Sequence, residues 1–562
     1  MGSVLRCKLC GEATVIKSNL GISEELARLQ RGRCPPTKTH GCPNSACQNA
    51  HHPVETYPKR YYLHGKSASG ARRYRCKLCQ NTFSIKAKAA FKQKRPDIND
   101  IVFRLLVNKM PMRRICETAG IHPATLYGKI DFIHRQCVTF AHHHELILRH
   151  APTVQRLYLA LDRQDYVFNW GTQLDRRNVM LHAIGAADNE TGYVFGMDLD
   201  FDPDLDSEVI EKAAIAEGDY DQQYPYRRHA RLWLQRDYED SFRLRQRIGS
   251  HRSRGRATGA AAQAHLQKLV ALQAAETRGD EIQEMMDTKA PAVGMQVRAE
   301  YTMYAHFFYL RELLSGIEKI RFFLDQEPGI TSACAAVFKE EIRARRVDAF
   351  LVRIRKDMTI DEKKQAKGKS EGALAKLLRE RPELSRQQAT LHEMRQAIDR
   401  ARNAAESKVF WVQHPFPDMG EPEKAVCYAT DCGDYNPDHL ANLYLKASLR
   451  SIDRFFMQVR RRMSIFERPI SSPSARKTWH GYSAYNPAVG AKLLTIFRVF
   501  YNFALPGQDK KTPAMRLGLM KEAATLADIL EFLPLSVADE ATNQTSSKRK
   551  ARANSGSASA TG

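Results

Sequence analysis

No stretch of this chain approaches the roughly 20 apolar residues that a membrane-spanning helix requires. The opening residues, Met-Gly-Ser-Val-Leu-Arg-Cys, also lack the apolar core of a secretory signal. A cytoplasmic protein is therefore expected, with no membrane partner. Internal repeats are absent as well, which excludes solenoid and propeller architectures. Carboxylates are in short supply: 63 Asp and Glu stand against 87 Lys and Arg, for a net charge of +24. Such an excess favours a polyanionic partner, nucleic acid first and an acidic membrane surface second. The remaining composition, with 43% hydrophobic and 27% charged residues over 562 positions, suits several globular domains.

Cysteine is where the chain departs from the ordinary. Seven of the twelve cysteines lie before residue 80, and in a reducing compartment such clustering reads as metal ligation. Cys42 and Cys47 form one close pair and Cys76 and Cys79 a second, separated by a run suited to a hairpin. Two tight turns delivering four thiolates are what a tetrahedral Zn²⁺ site requires, and four thiolates leave no open position for catalysis. A structural zinc ribbon is expected. A second zinc site would draw on Cys7, Cys10, Cys34 and His40. His51 and His52 read as solvated, and Cys427 and Cys432 as structural.

Residues 98–136 carry a helix-turn-helix pattern. Ile101, Leu105 and Leu106 suit one amphipathic helix, Met112 to Ala119 a second, Gly120-Ile121 the turn, and a third begins near Pro123. In a DNA reader of this shape the last helix enters the major groove. His122, Thr125, Tyr127 and Lys129 would then lie near base edges or phosphates.

From Leu157 the pattern turns to β-structure. LYLALDRQDYVF, VMLHAIGAAD and GYVFGMDLDF surround a DNETG turn and predict an antiparallel hairpin; IRFFLD and VDAFLVRIRK predict further strands. Asp162 falls inside the first apolar strand and Asp325 ends IRFFLD. An acid in a buried strand is costly unless it is paired or holds a metal. A long helix is predicted over about 438–463, with Leu445, Leu449, Ile452, Phe456, Val459 and Met463 inward and Asp453 beside that stripe. Three such acids can converge on Mg²⁺ or Mn²⁺, whose hard-ligand preference they meet and whose charge phosphodiester chemistry uses. Arg450, Arg454, Arg460 and Arg461 on the same helix suit DNA phosphates. Glu467 competes with Asp453 for the third position, while Asp165, Asp198 and Glu327 are candidate supporting acids. The aromatic segment 479–503 reads as core.

GCPNSAC…YLHGKSASGARRYRCKLCQNTF resembles the zinc ribbon of bacterial insertion-sequence transposases of the two-frame type, and SIDRFFMQVRRRMSIFERP resembles their third-acid helix. The resemblance implies a multidomain chain: zinc ribbon, all-α helix-turn-helix, then an α/β RNase H-like mixed sheet with large helical insertions. It prefers Asp453 to Glu467, although Asp stands where Glu is usual, and the spacings between the acids exceed those of compact members. The expected boundaries are 1–90 for zinc binding, 91–150 for the helix-turn-helix and 151–505 for the catalytic domain. Insertions lie at about 218–300 and 360–406, C-terminal helices at 506–538, and a disordered tail at 539–562. The implied activity is metal-dependent cleavage and strand transfer at element ends, without a covalent protein–DNA intermediate or a small-molecule substrate. Partners would be double-stranded DNA, both element ends and target, and further copies of the chain, with a nucleoid-associated location. The basic segment Arg243–Arg256 would hold backbone. The rival readings are an inactive DNA-binding regulator and a nuclease that cuts without joining.

Overall fold

A computed structural model describes residues 4–6, 13–34, 40–54, 56–68, 71–85, 89–90, 93–150, 152–168, 178–240, 290–355, 358–405, 409–467, 470–471, 478–479 and 486–533. Cys7, Cys10 and Arg243–Arg256 lie outside them. The chain forms two compact units. One holds Met1–Gln30, Leu105–Ile115 and Glu145–Ala523; the other holds Arg31–Arg104, Cys116–His144 and Ala524–Gly562. No helix among the described residues is long and apolar enough to cross a membrane.

In the smaller unit, β1 (Tyr61–Lys66), β2 (Arg72–Cys76) and β3 (Thr82–Ser84) form an antiparallel three-stranded sheet. Its inner face carries Tyr61, Tyr74, Cys76 and Phe83, packed with Cys42, Cys47 and Val54. Such a core is too small to hold itself together by area alone, so its cysteines carry much of the load. Three helices follow in the chain, α1 (Asn99–Leu106), α2 (Met112–Ala119) and α3 (Pro123–Glu145), of which the stretch Leu105–Ile115 groups with the larger unit. The turn between α2 and α3 is made by Gly120 at φ +61°, with Ile121 N–H donating to the Cys116 carbonyl at 3.0 Å. The inward face of α1 is turned one residue from expectation: Ile101 is exposed, whereas Val102, Phe103 and Leu106 are buried. Near the C-terminus, Gln136 of α3 donates to the carbonyls of Leu530 and Phe532, and Phe140 packs edge-on against Phe532.

The larger unit is organised by a seven-stranded mixed sheet. Its strands are β4 (Arg156–Phe168), β5 (Val179–Asp188), β6 (Val194–Leu199), β7 (Lys319–Asp325), β8 (Val347–Ile354), β9 (Val412–Gln413) and β10 (Lys424–Tyr428). The spatial order is β9-β10-β8-β7-β4-β5-β6. The strands β4, β5 and β6 run as an antiparallel meander, while β7 pairs parallel to both β4 and β8. The DNETG turn forms as expected: Gly192 sits at φ +75° and Asp188 accepts the N–H and hydroxyl of Thr191.

Both faces of this sheet are covered, so its strands read as nearly continuous apolar runs. On one face lie α4 (Ala299–Leu313) and α5 (Pro328–Val337), through Phe307, Phe322 and Phe338. The segment 360–406 forms a helical hairpin, α6 (Ile360–Glu380) and α7 (Arg386–Ala404), both opened by capping boxes. On the other face lie α8 (Pro437–Lys446) and α9 (Arg450–Arg462). The single helix expected over 438–463 is thus two. The apolar stripe is continuous through the break, but buried Glu421 accepts from Ser448 Oγ and Leu449 N–H, and Lys424 Nζ donates to the Ala447 carbonyl. These partners satisfy the backbone groups that a helix end exposes. The segment 486–503 is core as expected: α10 (Pro487–Val499) buries Leu493, Leu494, Ile496, Phe497 and Val499.

The expected boundary at residue 90 is not where the units divide. Residues 19–30 group with the sheet through buried charge: Arg231 bridges Glu24, Glu25 and Asp202, and Arg28 donates to the carbonyls of Leu199 and Phe201.

Candidate metal cluster and acidic site

The ribbon brings its four predicted ligands together. One sulfur from each of Cys42, Cys47, Cys76 and Cys79 lies within 4.8 Å of all the others, and the group can hold a metal ion such as zinc. Zinc–sulfur bonds of about 2.3 Å in a tetrahedron place sulfurs about 3.8 Å apart; Cys47 and Cys76 stand at 3.8 Å and Cys42 and Cys79 at 3.2 Å. Burial pushes the Cys42 thiol up to about 12. Burial also works against the Cys76 thiolate, but backbone N–H groups of Cys79 and Leu78 and the Asn49 amide bring it down to about 6. Four sulfurs gathered in one cluster are the donor set that zinc takes. The Tyr61 hydroxyl braces the site, sharing its one proton between the carbonyls of Asn49 and His52 and accepting Cys42 N–H. Cys34 and His40 join no group of three or more metal-ligating side chains among the described residues.

The acids are placed by strand register. Leu324 pairs with Leu161 across β7 and β4, so Asp325 and Asp162 follow side by side, with backbones roughly 5 Å apart and side chains on one face. Each is only 3% exposed. That face is the one α9 covers. Gly185, the cross-strand partner of Asp162, lies so close to α9 that a Cβ there would meet Ile452 Cδ1 at 2.6 Å. Farther along β4, Gln164 with its carbonyl turned to the helix accepts from Arg460 at 2.9 and 3.0 Å. Phe466, just beyond α9, packs on Tyr166 and Phe168. The helix therefore runs along β4 from its Asp162 end. Asp453 precedes Arg460 by two turns on the same helical stripe, and so belongs to the Asp162 end, in the first turn of α9. Glu467 belongs to the Phe168 end and pairs with Lys109 at 2.7 Å. The oxygens of the three aspartates are not all within 4.8 Å of one another.

No protein family, curated protein or solved structure matches the chain.

The opposite face of the same strands holds charges that sequence reasoning left without partners. Arg163 bridges Glu327 at 3.0 Å and Asp165 at 3.7 Å. His182 meets Asp165 at 2.5 Å and His306 meets Asp198 at 2.6 Å. Burial opposes the His182 imidazolium, but the Asp165 carboxylate outweighs it and the pKa is raised. Burial pushes Asp200 up to about 7, against the pull of His182. The alternation within DRQDY was the available signal: Asp162 and Gln164 face α9, while Arg163 and Asp165 face α4.

The residues expected to touch DNA divide. Thr125 and Tyr127 are half-buried and His122 is exposed, its Nδ1 accepting Ala124 N–H at the start of α3. Lys129 departs from expectation: it is buried, and its ammonium donates to the carbonyls of Lys94 and Arg95 at 2.7 and 2.6 Å. It serves packing and offers no charge to a phosphate. On α9, Arg454 and Arg461 are exposed, Arg450 pairs with Asp418, and Arg460 is directed at Gln164. Of the two cysteines read as structural, Cys427 is buried in β10 and Cys432 is exposed.

Proposed function

We propose that this chain is a DNA transposase of the acidic-triad type, with an RNase H-like catalytic domain. The observation that carries the reading is the pair Asp162 and Asp325, buried side by side on adjacent parallel strands beneath the helix that bears Asp453. Hard carboxylate oxygens brought together in this way fit Mg²⁺ or Mn²⁺. An antiparallel meander followed by two parallel strands is also the sheet order that an RNase H-like domain calls for.

In this reading Asp162, Asp325 and Asp453 are the metal ligands, and Asp453 gains from its place in the positive first turn of α9. Divalent cations bound there supply charge for the attacking and leaving oxygens of an in-line displacement. Arg454 and Arg461 hold phosphates. Arg163 acts from the far face, tying Glu327, which opens α5 after Asp325, to β4. The ribbon and the helix-turn-helix bind element ends, and joining two ends requires more than one copy of the chain. Water or a 3′-hydroxyl is the nucleophile, so no protein side chain becomes linked to DNA.

The regulator reading draws on one observation: the four ribbon sulfurs lie within 4.8 Å of one another, whereas the oxygens of the three aspartates do not all do so. Strand transfer on DNA carrying the inverted repeats that flank the gene separates the two. Wild type with Mg²⁺ should expose a 3′-hydroxyl and join it to target, and Asp162→Ala, Asp325→Ala and Asp453→Ala should do neither. End binding by wild type without any cutting would establish the regulator instead.

A further inference from the structure

We propose that the outer face of the ribbon sheet is a surface that grips the DNA backbone, supplying phosphate charge that the first turns of α3 lack. This rests on the DNA-binding part of the reading above and is independent of the nuclease part. Between Glu55 and Asp97 the chain has no carboxylate and twelve Lys and Arg residues. The structure sorts part of that charge onto one surface. Tyr62 pairs with Arg75, Arg75 with Thr82, and Arg73 with Ser84, so these side chains share one face because cross-strand partners point the same way. All five are exposed. The alternate residues, Tyr61, Tyr74, Cys76 and Phe83, form the ribbon core. The basic face is therefore held flat by the metal cluster directly behind it.

Its chemistry favours phosphates over bases. Arg73 and Arg75 are two residues apart on β2, an advance of about 6.8 Å, close to two base-pair steps of a duplex at 3.4 Å each. Thr82 and Ser84 add hydroxyl donors beside them. The Tyr62 ring on this face already has the Lys77 ammonium 4.7 Å from its centroid, which leaves it poorly placed as a stacking platform for single strands. In contrast, the first two turns of α3 offer only Lys129 as a cation, and Lys129 is turned inward. Reading by Thr125 and Tyr127 would thus draw its electrostatic hold from outside α3, from the ribbon face together with exposed Arg113 and Arg114 of α2.

The test is binding of the full chain to a fluorescent 30-base-pair duplex without Mg²⁺ or Mn²⁺, over a range of salt, with zinc content measured on each sample. Arg73→Gln with Arg75→Gln should reduce the slope of log affinity against log salt by about 1.8, since each neutralised phosphate contributes about 0.9. The affinity loss should be similar for unrelated sequences. Lys363→Gln with Lys367→Gln, on α6, should leave the slope unchanged. Should the double variant lose zinc, Arg73→Gln alone in a zinc-loaded chain should lower the slope by about 0.9, and Arg73→Lys should restore it. An unchanged slope in a zinc-loaded variant overturns the proposal, as does tighter wild-type binding to single strands or to RNA than to duplex DNA. A reduced slope in a protein that never cuts DNA would sink the nuclease reading and leave this one standing.

Discussion

The buried carboxylate of Glu421 accepts the backbone N–H of Leu449 at 2.8 Å. Its second oxygen meets the ammonium of Lys424 at 2.8 Å, and Ser448 Oγ donates to the first at 2.6 Å. Helix α9 starts at this point, so Glu421 fixes where the helix carrying Asp453 begins. Glu421→Ala would strand a buried ammonium and a helix N-terminus together. The expected loss of stability is about 3–5 kcal/mol, the range for breaking one partner of a buried pair, read by urea unfolding. Glu421→Gln keeps the shape and should cost less, while still lowering cleavage more than DNA binding. Equal stability of wild type and Glu421→Ala would remove Glu421 from this role.

Gly185 sets how closely α9 can approach the sheet. Gly185→Ala puts a methyl group against Ile452 and Phe456 and should cost about 1–3 kcal/mol as overpacking. Because the helix must lift at the Asp162 end, metal-dependent cleavage should fall further than thermal stability accounts for. Gly185→Ala with unaltered melting temperature and activity would show that the contact is slack.

The cysteine cluster should behave as a closed structural site. Cys42→Ser or Cys76→Ser should abolish zinc binding at the ribbon, measured by metal analysis, and expose residues 40–85 to protease. Structural zinc contributes about 10–16 kcal/mol in small zinc domains, far more than this small core can replace. Retained zinc and protease resistance in both variants would contradict the assignment.

His414 gives the acid limb of stability a specific origin. It is buried next to Lys424, and burial first, then that ammonium, lowers its pKa to about 3. The unfolded chain binds a proton near pH 6.5 and the folded one does not, so this contribution is complete above pH 6.5 and is lost as pH falls toward 3. Between pH 6.5 and 5 the loss should reach about 2 kcal/mol, at 1.36 kcal/mol per unit. His414→Gln, whose side chain can still accept Phe416 N–H, should flatten that limb in chemical denaturation at the two pH values. An equal slope in both proteins would refute the origin.

What was legible in the sequence was local. Cys42, Cys47, Cys76 and Cys79 announce themselves by spacing, and Asp162 by its apolar strand. The DNETG turn follows from Gly192 and its neighbours. What escaped depends on distant partners. The apolar stripe from Leu445 to Met463 says nothing of a break whose cause, Glu421, lies 28 residues before Leu449. Lys129 reads as a surface lysine until the carbonyls of Lys94 and Arg95 are seen around it. Residues 19–30 read as part of the cysteine-rich region because nothing local reveals the pairing of Glu25 with Arg231. Polar side chains in pairs, such as Asp165 with His182, are similarly invisible until two strands are set in register.

The most direct measurement is Mn²⁺- or Mg²⁺-dependent nicking of duplex DNA by the full chain, run at concentrations where each protein binds the DNA to the same extent. Wild type should nick, and Asp162→Asn, Asp325→Asn and Asp453→Asn should each lose at least about 100-fold, as expected when a ligand is removed from a metal-assisted displacement. Glu467→Gln should nick as wild type does. Undiminished nicking by the Asp162→Asn and Asp325→Asn proteins would contradict the assignment of these carboxylates to the metal.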